Sequence, residues 1–223
     1  MVVYRSSLKT RKGLINAAGE LAAEKGFHSV STRAVAERAQ QNIGSIHYHF
    51  GSKQKLFEAV VLQVAERWQQ SSLEEALAGC DLLTRPGQAH AVAIVLRRQA
   101  GLLFDKAAPS WHCRVIYQLM QFPDALQSVF RTAVVVPERE QVEELLKQIA
   151  PSLTEQQIQV HFFVLTAPLL LHADYQNALL RRMGKTAYDD SYLETLLEIC
   201  TRQALLALGL PLLEEKDPAL LSS

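Results

Sequence analysis

A chain of 223 residues with 48% hydrophobic content can bury a real core as one large domain or two unequal ones, and its Gly and Pro are too few for a low-complexity chain. Its three cysteines, Cys80, Cys113 and Cys200, are odd in number and far apart, which excludes a disulfide framework or a CxxC metal knuckle and points to the reducing cytoplasm. Net charge is zero, yet residues 1–55 carry nine bases against three acids (net +6) and the remainder 14 against 20 (net −6), the pattern of a polyanion-facing end on an acidic body or of a solvated basic face.

The amino-terminal MVVYRSSLKTRKG lacks the apolar run of a signal peptide. Leu14, Ala18, Leu21 and Ala22 fall at helical spacing, so a first helix buries one stripe, exposes Arg11, Lys12 and Glu20, and stops at Gly26. Ser31 caps a second, short helix ending near Ala39, with Val30 and Val35 placed as a hydrophobic staple. Asn42 caps a third through about His49, in which Ile46 and Phe50 face inward and leave the opposite face for contact. Ser52 caps a longer helix through Leu56, Val60, Val64 and Trp68 toward Leu73.

Pro86-Gly87 marks a break, after which helical patterns occupy 88–106, 110–121, 124–149, 154–183 and 191–209, separated by Pro109, Pro123, Pro151 and Met183-Gly184. Pro137 and Pro168 fall inside two of these and are expected to kink or divide them. The apolar run from Phe162 to Ala173 is too short and interrupted to span a bilayer, so no membrane partner is expected. The expectation from these patterns is an all-α protein with a three-helix head over residues 1–55, a larger helical body over 56–210 and a flexible tail over 211–223.

A short helix behind a tight turn can read DNA because the major groove admits one helix and presents donors and acceptors that distinguish all four base pairs. Ile43, Gly44 and Ser45 open the third helix and allow close approach, and His47 and Tyr48 follow with polar tips. Arg33 can reach a guanine edge or a phosphate, and Lys53 beside the amides behind Ser52 suits a phosphate oxygen. A generic three-helix bundle is the alternative reading of the head.

The segment HYHFGSKQKLFEAVV resembles the signature of the TetR family of one-component regulators, in which an amino-terminal helix-turn-helix reads an operator and a helical body senses a ligand. The resemblance implies a helix-turn-helix DNA-binding domain for the head and a ligand-binding and dimerisation domain for the body. It also implies that Thr32, Arg33, Ile43, Gly44, Ser45, His47, Tyr48 and Lys53 face operator DNA, and that Ala36, Ile46 and Phe50 are core. Two positions depart from it. Gln40 stands where a turn glycine is usual, so a left-handed backbone there carries strain or the turn changes shape, and His47 stands where tyrosine is usual, with less reach and some pH dependence. The carboxy-terminal YDDSYLETLLEICTRQALLALGL is similar to the CecR-like branch, whose members control genes for antibiotic and drug susceptibility or export.

Residues 155–180 are apolar almost all round, with Ile158, Phe162, Leu165 and Leu169 on one stripe and Phe163, Ala167 and Leu170 on another, so partners are needed on both sides. The last helix carries Leu193, Leu196, Leu197, Cys200, Ala204 and Ala207 along one stripe. The family resemblance implies that these two helices pair across a two-fold axis, giving a homodimer on a near-palindromic operator, and that most relatives are repressors released by a small organic effector. Trp111, Arg114, Tyr117, Met120, Gln121 and Phe122 in one segment, with His161, Phe162, Thr166 and His172 in another, supply aromatic walls and a few polar groups for an amphipathic effector, though aromatics at helical spacing equally make ordinary core.

No metal is expected, because His161 and His172 fall about 16 Å apart along a helix. No cofactor is expected either, and no P-loop, GxGxxG, HExxH or nucleophile elbow supports an enzyme. The alternative function is a helical interaction protein that no longer binds DNA.

Overall fold

The computed structural model describes residues 2–109, 111–121 and 125–213. Among them helices dominate and no strand occurs. The chain divides into two compact units: residues 1–69 with 106–135, and residues 70–105 with 136–223. These packing units follow a different line from the functional segments expected from the sequence, since residues 106–135 pack with the amino-terminal head. Of the expected tail, 211–213 are irregular and 214–223 lie outside the described residues.

The first unit is built on α1 (Val2–Lys25). Leu14, Ile15, Ala18, Leu21 and Ala22 are buried, and the helix ends at Gly26, whose φ of 81° is open to glycine and strained for other residues. A 3-10 turn at Phe27–Ser29, not foreseen from the sequence, follows, with Phe27 set edge-on to Phe57 at 5.2 Å. Helices α2 (Thr32–Arg38) and α3 (Ile43–Phe50) pack against α1 and each other. Next come α4 (Lys53–Gln70), α7 (His112–Gln121) and α8 (Ala125–Phe130).

Helix α7 lies on α1 at Gly19, where an added Cβ would sit 2.5 Å from the Trp111 ring. That close approach explains the glycine inside a helix, which periodicity alone leaves unexplained.

In the second unit, α6 (Arg85–Phe104) is enclosed by α5 (Leu73–Leu77), α10 (Glu155–Asp174) and α12 (Asp190–Ala207), which bury Ala89, Val92, Ala93, Leu96 and Ala100. Helices α9 (Val136–Ile149) and α11 (Gln176–Met183) complete it. Each fully buried Leu here contributes about 1.5–3 kcal/mol. The buried Arg98 guanidinium forms a two-pronged pair with Glu138 at 2.7 and 2.7 Å, and its Nε donates to the Ser71 carbonyl. Arg85 donates to the Ile149 carbonyl at 3.2 Å and the Gly209 carbonyl at 2.7 Å, tying the ends of α9 and α12.

Several expectations about proline and capping need correction. The helix from Ser52 ends at Gln70 rather than Leu73, because Ser72 caps the separate α5 by accepting from the Glu75 amide. Pro86-Gly87 is not a break: Thr84 caps α6 and Pro86 sits in its first turn, where a missing N–H costs nothing. Gly87 is required there because a Cβ would lie 1.9 Å from the Asp81 carbonyl oxygen.

Pro137 does divide its pattern, through a π-helical turn at Arg131–Val135 that precedes α9. Pro168 does not, since α10 runs through it to Asp174 and the division comes at Tyr175. Of the stripe expected on α12, Leu196, Cys200 and Ala204 are buried within the chain at 9%, 7% and 7% exposure, Leu193 and Leu197 are half-buried, and Ala207 is exposed.

Candidate nucleic-acid interface

Three local capping bonds set the head. Ser31 Oγ accepts from the Ala34 amide at 3.1 Å, Asn42 Oδ1 from the Gly44 amide at 2.8 Å, and Ser52 Oγ from the Lys55 amide at 3.2 Å. Each satisfies one orphan donor of a helix start and contributes about 1 kcal/mol. Val30 and Val35 are both buried, so the staple fixes the entry of α2. Between α2 and α3, Gln40 takes φ 53°, the left-handed geometry of a turn glycine, with its amide donating to the Glu37 carbonyl. A side chain there costs roughly 1–2 kcal/mol, yet the turn keeps its shape.

On α3, Ile46 and Phe50 are buried at 0% and 7%, while Ile43 and Tyr48 stand 45% and 80% exposed. Gly44 and His47 are also exposed, and Thr32 and Ser45 are half-buried. His47 Nδ1 lies 3.3 Å from the Gly51 carbonyl; if it donates there, the neutral ring turns an acceptor, Nε2, outward.

Electrostatics orders the surface around α3. Arg38 reaches Glu20 at 3.1 Å and Glu24 at 3.1 and 3.2 Å, and its hydrogen bond holds the Glu24 carboxyl below the usual carboxylate range. Arg33 Nε pairs with Glu37 Oε1 at 3.1 Å across one turn. All three acids of the head are thus occupied by arginines. Being exposed, the Arg33 pair holds its guanidinium by only a few tenths of a kcal/mol, and a better acceptor can draw it away.

Lys53 Nζ donates to the His28 carbonyl at 3.4 Å and lies 5.7 Å over the Phe57 ring. Arg11, which sequence reading left simply as an exposed base, lies 5.3 Å over the Phe50 ring and is braced beside α3.

The expected effector residues fall in two groups. Arg114, Tyr117 and Met120 stand on α7 in the first unit, Trp111 immediately precedes that helix, Gln121 ends it, and Phe122 lies outside the described residues. Trp111 is 3% exposed against Gly19, Tyr117 is half-buried, Met120 is 41% exposed, and Arg114 opens onto a cleft.

His161, Phe162, Thr166 and His172 stand on α10 in the second unit. His161 borders a crevice of only about 20 Å³, Thr166 Oγ1 donates to the Phe162 carbonyl at 2.9 Å, and His172 Nδ1 meets the Pro168 carbonyl at 2.9 Å.

Sequence reading passed over His112, whose ring meets Trp111 at 4.2 Å. Burial, aided by nearby Arg67, pushes its pKa down to about 4, so it is neutral at ordinary pH. Among the described residues, no group of His, Cys, Asp and Glu could hold a metal ion, and no helix is long and apolar enough to cross a membrane.

Residues 14–60 match the family described as bacterial regulatory proteins, tetR family. The HTH-type transcriptional regulator UidR of Escherichia coli K12 is 41% identical over 58 residues, which are 26% of this chain and 30% of UidR. The match therefore spans about a third of the length of such relatives.

Among solved structures, a transcriptional regulator from Rhodococcus sp. RHA1 matches over 88% of this chain and 96% of its own, with TM-score 0.61 and 22% identity. The multidrug binding protein EbrR, in complex with malachite green, covers 77% of this chain and 96% of its own, with TM-score 0.50 and 23% identity. Both likenesses extend the common fold beyond the head.

Proposed function

We propose that this chain, whose residues 14–60 match the tetR family of bacterial regulatory proteins, is a ligand-responsive, DNA-binding transcriptional regulator, a repressor released from a near-palindromic operator by a small organic effector. The observation that carries the reading is α3: its inner face is locked by Ile46 and Phe50, and its outer face offers Ile43, Gly44 and Tyr48 to a groove. Thr32, Arg33, Ser45 and His47 border that face, and Lys53 with the amide end of α4 supplies a phosphate site. His47, bonded as it is to Gly51, would donate to phosphate only when protonated.

A dimer is supported by apolar side chains left in solvent on two adjacent helices of the second unit. Val160, Phe163, Val164 and Leu171 on α10 are 51–60% exposed, and Ile199 and Leu206 on α12 are 50% and 61% exposed. Neighbours seven or eleven apart share a helix face, so these make one contiguous stripe on each helix. Effector binding is supported by the aromatic and polar residues that α7 and α10 each carry within their own unit, and by the malachite green bound to the structural neighbour EbrR.

The CecR-like similarity, carried by the turn at QQNI, the YHFGSK stretch and the carboxy-terminal helix, stays a resemblance. The rival reading, an interaction protein that has lost DNA binding, rested on Gln40 and His47. Gln40 keeps the left-handed turn, so that departure leaves the orientation of α3 intact.

Lys53→Ala should weaken binding to all sequences alike and reduce the slope of log affinity against log salt by about one unit. Ser45→Ala and Arg33→Ala should instead change which bases are preferred, by about 1–3 kcal/mol at the affected position. Fluorescence anisotropy over a salt series on operator variants reads both. Equal losses on every sequence from all three substitutions would contradict this division.

A further inference from the structure

We propose that the head carries its own anion-binding regulatory site, a cleft between the end of α1 and α7 that takes an amphipathic organic carboxylate and changes operator affinity through Lys53. The inference rests on the DNA-binding reading above and adds a second point of control to it.

The cleft measures roughly 400 Å³, within the range of small-molecule sites. It is lined by Ala23, Phe27 and Leu119 as an apolar floor, with Lys25, His28, Arg114 and Gln118 around it. Its single acid, Glu24, is already held by Arg38 at 3.1 and 3.2 Å, which leaves the Lys25 and Arg114 side to an incoming anion. Gln118 spans the two helices, its Nε2 donating to the Ala23 carbonyl at 3.4 Å, while its Oε1 is buried without a hydrogen-bond partner. A buried orphan acceptor is costly, and a water donating one hydrogen to it and the other to a bound carboxylate would relieve it. An apolar floor with a guanidinium at its rim suits an aryl or alkyl body bearing a carboxylate, which Arg can hold by two parallel bonds.

Two contacts connect this cleft to the DNA face. His28 lines it, and the His28 carbonyl is the acceptor of Lys53 Nζ at 3.4 Å. Phe27 also lines it, and the Phe27 ring rests edge-on against Phe57, over which Lys53 lies. A ligand that shifts the Phe27–Ser29 turn therefore moves the support of the phosphate-binding lysine. Every residue of this path lies in the first unit.

The probe is 2-naphthoate, titrated calorimetrically into the full-length protein, with 2-naphthamide as its uncharged counterpart. The expected result is saturable naphthoate binding, at least about tenfold weaker for naphthamide and for Arg114→Glu and Lys25→Glu, with circular dichroism confirming that both variants are folded. Operator affinity of the wild-type protein should change at saturating naphthoate, and that change should be lost in Arg114→Glu. Absence of naphthoate binding, equal binding by both variants, or binding that leaves operator affinity unchanged would each overturn the proposal. Failure of the ligand-free wild type to bind any operator would instead overturn the DNA-binding reading beneath it.

Discussion

Phe163→Asp is expected to leave the protein folded but monomeric, and to lower operator affinity by about 10²–10⁴. Phe163 is 60% exposed in the single chain and meets neighbouring Phe162 edge-on at 5.4 Å, so a carboxylate there disturbs little of the chain's own core. In a two-fold pairing of the α10 and α12 stripes the same carboxylate would be buried opposite apolar side chains, at a cost that outweighs a standard interface contact. Each head would then meet its half-site alone, losing the effective concentration that linkage supplies. Sedimentation velocity reads the association state and anisotropy the affinity. A dimeric Phe163→Asp that binds operator as the wild type does would remove α10 from the interface.

Arg98→Met is expected to destabilise the protein by about 3 kcal/mol. The Arg98 side chain is 6% exposed and that of Glu138 20%, so deletion of the cation leaves a largely buried carboxylate and the Ser71 carbonyl uncompensated. Breaking such a pair costs about 3–5 kcal/mol, and the lower figure applies because Glu138 retains some water. Arg98→Met combined with Glu138→Leu should recover most of the loss, because the residual charge is then gone. Urea denaturation of the two variants and the wild type measures both terms. A loss under about 1 kcal/mol for the single variant would mean that the pair is solvated in solution.

The head was legible in the sequence because its determinants are local. Ser31, Asn42 and Ser52 cap the helices expected of them, and the Val30–Val35 staple and the Ile46–Phe50 inner face need only a few residues to read. Gln40 was legible as a conflict between residue type and turn geometry, and the geometry prevailed. What escaped were features set by distant partners. Gly19 makes sense only beside Trp111, 92 positions further along, and Gly87 only beside the Asp81 carbonyl.

Orientation of the closing helices also escaped, for a physical reason. On a helix apolar on two faces, periodicity says that both are covered but not which one the chain covers itself. Leu196, Cys200 and Ala204 of the expected stripe pack inward, Ala207 of the same stripe stays exposed, and Ile199 and Leu206 are left outward. Pro168 misled in the same way, because neighbouring helices hold α10 together across a residue that would break it in isolation. The aromatic residues of α7 and α10 looked like one wall in sequence, while the fold assigns them to separate units.

Paired heads are expected to present α3 and Lys53 to successive major grooves. Titration of the full-length protein against the promoter-proximal DNA of its own gene at modest ionic strength, with stoichiometry read by sedimentation, tests this arrangement. The expected result is a salt-sensitive complex of two chains on a near-palindromic site, bound far more tightly than unrelated duplex of equal length. Equal affinity for both duplexes, or a stoichiometry of one chain per site, would contradict it.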